Sequence, residues 1–125
     1  MIYLDTHVVV WLYAGLTEQF SPQARSLINQ HELLISPIVH LEIQYLYETG
    51  RITVDSGTII TDMNQRIGLR TCDIPFGEVI ARAVSLAWTR DPFDRLMVAQ
   101  AQVGQGLLLT KDETIRNHFS NAVWP

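Results

Sequence analysis

The 125-residue sequence has too little of several things to belong to several common classes of protein. It holds one cysteine, Cys72, so no internal disulfide can form and a thiolate zinc site has no second sulfur ligand. Cys72 reads most simply as a small core residue. The four histidines, His7, His31, His40 and His118, show no zinc-ligand spacing, and no ligand or base role is assigned to any of them. No apolar run approaches the roughly 18 residues that span a bilayer. The opening "MIYLDTHVVVWLY" lacks the basic start and small-residue cleavage site of a secretory signal, so a cytoplasmic protein without a membrane partner is expected. Positive charge is also scarce: nine Lys and Arg stand against 13 Asp and Glu, a formal net charge of −4. That balance excludes a domain that coats nucleic acid by bulk electrostatics, while leaving room for an enzyme that gathers its acids at one metal site. Repeats, low-complexity tracts and linkers are absent. With 47% hydrophobic residues the chain can bury one continuous core, and a single domain over residues 1–125 is expected.

What is present is an alternation. "MIYLD", "ELLIS" (32–36) and "GLLLT" (106–110) are short apolar runs, each followed at once by a helical pattern, and all-apolar strands of this kind read as buried parallel strands. Weaker strands are expected in "LRTCDI" (69–74) and "AVWP". Helices are expected near 6–13, 21–30, 37–49, 55–67, 76–88, 92–104 and 112–118. "SPQARSLINQ" and "SPIVHLEIQYLYETG" both open with a capping serine and a first-turn proline, and the second stops at Gly50. The glycines of "VGQGLLL" lead into a strand, the reverse of a phosphate-cradling loop, and read as a helix stop. Strands alternating with helices imply an α/β sandwich around a mostly parallel sheet.

Ligands in open α/β sheets bind beyond the carboxyl ends of the strands, and acids map there. Asp5 ends the first strand, Asp112 follows "LLLT", and Asp91 and Asp94 open the preceding helix in "RDPFDRLMVAQA". Asp5, Asp91 and Asp112 each stand where a helix begins, so each also suits an N-cap. Glu42 does not: it lies in the second turn of its helix among Ile38, Val39, Tyr45 and Leu46. Asp94 has Met97, Val98 and Ala101 at i+3, i+4 and i+7. A carboxylate on an apolar stripe is costly unless a donor or cation meets it. Two helices repeating that expense beside strand-end acids suggest one pocket, where mutual repulsion calls for a cation. Oxygen-only ligation favours Mg²⁺, with Mn²⁺ as a substitute.

These segments carry a resemblance. "YLDTHVVVWL", "SPIVHLEIQYL", "DPFDRLMVAQA" and "LLLTKDETI", in that order and spacing, resemble the PIN-domain ribonucleases, and more narrowly the VapC-type toxins of type II toxin–antitoxin pairs, over essentially the whole chain. The resemblance implies a three-layer α/β/α sandwich with a central parallel sheet of four or five strands. It implies a Mg²⁺-dependent endoribonuclease acting on tRNA or ribosomal RNA, a homodimer, and an antitoxin partner. Its acidic quartet falls on Asp5, Glu42, Asp94 and Asp112, with Asp91 a second-rank metal residue and Thr6 and Thr110 as supporting hydroxyls. Removing the four quartet acids would bring the formal charge to zero. Arg90, Arg95, Lys111 and Arg116 flank the acids in sequence and are expected as phosphate contacts. Trp11, Tyr13, Tyr45, Tyr47 and Trp88 fit stacking on RNA bases, though at helical spacing they fit a core, dimer or antitoxin surface better. Two other readings remain. A receiver-type phosphoacceptor module would use Asp55 of "RITVD", but leaves Glu42 and Asp94 unexplained. A catalytically inactive PIN-like binding module would not need the intact quartet.

Overall fold

A computed structural model of the chain describes residues 1–125. The order is β1 (Ile2–Leu4), α1 (Thr6–Ala14), a 3₁₀ turn (Thr17–Gln19), α2 (Pro22–Gln30), β2 (Leu33–Ile35), α3 (Pro37–Glu48), α4 (Ser56–Ile67), β3 (Arg70–Thr71), α5 (Phe76–Val84), α6 (Pro92–Val103), β4 (Leu107–Leu109), α7 (Glu113–His118) and β5 (Ala122–Val123). The strands form one sheet in the order β3-β2-β1-β4-β5, and every pairing is parallel. Ile2 pairs with both Leu33 and Leu107 in the register.

The three central strands are wholly apolar because helices cover both faces. Ile2, Leu4, Leu33, Ile35 and Leu109 pack with α1 to α4 on one side. The alternate residues Tyr3, Leu34 and Leu108 pack with α5, α6 and α7 on the other. Period-two alternation therefore divides the core in two, giving the three layers expected from the sequence. Helix starts follow local chemistry. Ser21 accepts from the Ala24 N–H at 3.1 Å and Ser36 from the Ile38 N–H at 3.3 Å, with Pro22 and Pro37 behind them.

Three boundaries differ from the sequence expectation. The weak strands shrink to two residues each, as suits the edges of the sheet. The helix expected over 76–88 stops at Val84. Leu86 turns into the core, and Arg95 of α6 donates to the carbonyls of Ala83 and Val84 at 3.2 and 3.0 Å, ending α5 with a cation at its negative pole. No helix is long and apolar enough to cross a membrane.

Candidate active site

From β1 the chain proceeds through β2 and β3 to one side, then returns to place β4 and β5 on the other. The order reverses between β1 and β4, so their carboxyl ends flank a crevice in which ligands characteristically bind. Asp5 follows β1, and its N–H donates to Leu109 O of β4 at 3.1 Å. Thr110 follows β4, is fully buried, and donates its hydroxyl to the Asp5 carboxylate. The same Thr110 oxygen accepts the N–H of Asp112 at 3.1 Å, so one hydroxyl fixes two acids relative to each other. Thr6, buried at the start of α1, donates to Glu42 of α3 and lies 3.7 Å from Met97 Sδ of α6. Asp94 sits in the first turn of α6, whose cap Asp91 accepts from the N–H groups of Phe93 and Asp94 at 2.8 and 3.2 Å.

Asp5, Glu42, Asp91, Asp94 and Asp112 line one cavity of about 440 Å³, together with His7, Val8, Trp11, Arg51 and Lys111. Four elements or their caps thus deliver the five carboxylates, α6 supplying two of them. Burial pushes the Asp5 carboxyl up, against the downward pull of Thr110. Glu42 is also raised, first by desolvation and then by Asp5 and Asp91, with the Thr6 hydroxyl opposing. Asp94 is pushed up to about 7 by desolvation and by the charges of Asp91, Asp5, Asp112 and Glu42. Repulsion of that kind would be relieved by a cation placed among the acids.

All the donors are hard oxygens, which suits Mg²⁺ or Mn²⁺. No three acids stand close enough to hold a cation together as the side chains lie. Asp5 and Glu42 are engaged by threonine hydroxyls, and Asp91 and Asp112 by backbone N–H groups at 2.8 and 2.9 Å. A bound ion would draw these carboxylates from hydrogen bonds that already restrict their positions.

The model of the PIN domain family matches residues 2–118. The chain belongs to the PIN domain family. Ribonuclease VapC22 of Mycobacterium tuberculosis is 29% identical over 119 residues, covering 94% of this chain and 91% of the relative. Among solved structures, VapBC2 from Rickettsia felis bound to a promoter DNA fragment superposes with a TM-score of 0.68 at 19% identity, covering 100% of both chains. A toxin–antitoxin complex from Klebsiella pneumoniae gives 0.68 at 16% identity over 98% of this chain and 96% of the other. These two similarities establish the fold.

Within this PIN domain the four quartet acids and Asp91 all reach the cavity, with Thr6 and Thr110 beneath them. Of the four expected phosphate contacts, only Lys111 lines it. Arg90 donates to Ala87 O at 2.8 Å, Arg95 serves the end of α5, and Arg116 donates to Lys111 O at 3.1 Å. Sequence reasoning missed His7 and Arg51. His7 could have been found by applying the strand-end rule to the whole first turn of α1, since it follows Asp5 by two residues. Arg51 carries no such signal, because its position depends on how the chain folds back after α3. The receiver reading fails: residues 51–54 form no strand, and Asp55 is the exposed N-cap of α4, accepting from Thr58 N–H at 2.8 Å.

Proposed function

We propose that this PIN domain, acting as one unit over residues 1–125 in the cytoplasm, is a metal-dependent endoribonuclease of the VapC type, the toxin of a toxin–antitoxin pair. The observation that carries this reading is the convergence of five carboxylates at the crevice between β1 and β4. Asp5, Glu42, Asp94 and Asp112 would hold Mg²⁺, with Mn²⁺ able to substitute and Asp91 assisting. A hard divalent ion supplies an acidified water and neutralises charge on the phosphoryl oxygens. The chain's own part is positional. Thr110 orients Asp5, Thr6 orients Glu42, and the first turn of α6 presents Asp94. Similarity to a protein named a ribonuclease supports RNA as substrate, tRNA or ribosomal RNA being the expected targets. Likeness to toxin–antitoxin complexes supports an antitoxin partner. Exposed Leu41 and Tyr45 on α3, and Phe76, Ile80 and Val84 on α5, offer apolar surface for that partner and for a homodimer.

The test is cleavage of purified tRNA and ribosomal RNA by the intact chain. Activity should require Mg²⁺ or Mn²⁺, vanish with EDTA, and fall by about two to three orders of magnitude in Asp5→Asn and Asp94→Asn, on the scale of losing one essential electrostatic group. Circular dichroism should show both variants folded. Full activity in either folded variant, or undiminished cleavage in EDTA, would sink the assignment.

A further inference from the structure

We infer that Arg51 is a substrate-binding residue, gripping an RNA phosphate at the α3 side of the cavity while Lys111 grips another beside Trp11. The inference rests on the nuclease reading and adds to it a residue that neither the acidic quartet nor its flanking sequence points to.

Of the nine Lys and Arg, seven arginines are occupied within the chain, each through a hydrogen bond or an ion pair. The side chains of Arg51 and Lys111 alone have neither. Both line the acid cavity. Lys111 stands over the indole of Trp11, 5.9 Å from the ring centroid, a contact that places the ammonium without consuming its donors on an anion. Arg51 is placed by the backbone. Gly50 takes φ +79°, a left-handed conformation that side-chain-bearing residues rarely adopt, and Arg51 N–H then donates to Leu46 O at 2.9 Å. The chain thereby doubles back along α3, the helix that carries Glu42, instead of running on past its end.

An exposed guanidinium at the rim of five carboxylates, paired with none of them, retains all its donors for an incoming anion. A phosphodiester is the anion the nuclease reading supplies, and guanidinium meets phosphate with two parallel hydrogen bonds. With one cation from the loop after α3 and the other from the loop after β4, the backbone is held at two phosphates over the acids. The net negative charge of the protein makes such local cations necessary, because the molecule as a whole repels RNA.

The experiment measures kcat and KM for cleavage of a short single-stranded RNA by the full chain in Mg²⁺, across KCl concentrations. Arg51→Ala should raise KM about tenfold, the loss of one charge-assisted contact, with kcat within about twofold. Its logarithmic salt dependence should flatten by about 0.7, the value for one phosphate contact on a single strand. Arg51→Lys should restore the slope and part of the affinity. Arg66→Ala on α4, paired with Asp62, should match the unmodified chain. Unchanged KM and slope in Arg51→Ala, while the unmodified chain cleaves RNA, overturns this assignment and leaves the nuclease reading intact. A fall in kcat at constant KM also overturns it, since Arg51 would then act on the reaction and not on binding. An unmodified chain that neither binds nor cleaves RNA overturns both.

Discussion

At the scale of single residues, Asp94 shows how a functional site opposes stability. Its carboxyl is raised to about 7 in the folded chain, whereas an unfolded aspartate titrates near 4. Between those values the folded state binds more protons than the unfolded state, so stability must fall as pH rises through that window. The metal-free protein should therefore melt at a higher temperature at pH 5 than at pH 8. Asp94→Asn should flatten that slope, leaving the part due to the raised carboxyls of Asp5 and Glu42, and should stabilise the protein at pH 8. Because the side chain is only partly buried, solvent screening reduces the gain to roughly 1–2 kcal/mol. Thermal unfolding in EDTA across that range measures it; a steeper slope in the variant, or a melting temperature that rises with pH in the unmodified chain, would contradict the repulsion argument. Asp94 was legible in the sequence because its i+3, i+4 and i+7 neighbours are apolar, and an acid on such a stripe demands a reason. Arg51 was not, because its place is set by the reversal after Gly50 and not by the periodicity of any element.

At the scale of elements, the strands were legible because helices on both sides leave them no polar face, and the helix starts because serine, aspartate and proline mark them locally. The early stop of α5 was not legible, since its decisive contact is the long-range reach of Arg95 to the carbonyls of Ala83 and Val84. The turn from α6 to β4 shows a constraint of the same long-range kind. Sequence marks Gly104 as a helix stop, yet its φ of −78° is open to any residue. What requires glycine is Tyr3 of β1: a Cβ at position 104 would lie 2.0 Å from the Tyr3 hydroxyl and 2.7 Å from Cζ. Tyr3 is almost wholly buried, and its hydroxyl lies 3.3 Å from Cys72 Sγ, so the ring has little room to retreat. Gly104→Ala should destabilise the fold by about 1–3 kcal/mol, the usual range for overpacking a core. Urea unfolding reads this directly, and a midpoint equal to that of the unmodified chain would mean that Tyr3 yields freely.

At the scale of the whole molecule, charge is distributed unevenly in a way that the total conceals. Five of the 13 acids line one cavity, leaving eight elsewhere against nine Lys and Arg. The net charge of −4 is thus largely a property of the site, which is why composition could exclude a bulk nucleic-acid coat and still agree with a nuclease. A ligand that neutralises this one cluster should stabilise the entire fold, because the acids are contributed by β1, α3, α6 and the cap of α7, and these elements share the two halves of the core. Binding to the folded state alone stabilises by about 2.7 kcal/mol when the ligand is at 100 times its dissociation constant. For a chain of this length that corresponds to roughly 8–10 °C in melting temperature. Mg²⁺ at saturation should accordingly shift one cooperative transition upward by about that amount, and Asp5→Asn should abolish most of the shift. Matching the ionic strength with KCl should not reproduce it, because diffuse monovalent screening relieves the mutual repulsion of the acids far less than a divalent ion bound among them. A Mg²⁺ effect equalled by KCl would indicate screening without site binding. Two transitions, only one of them responsive, would mean that the acids do not report on a single folding unit.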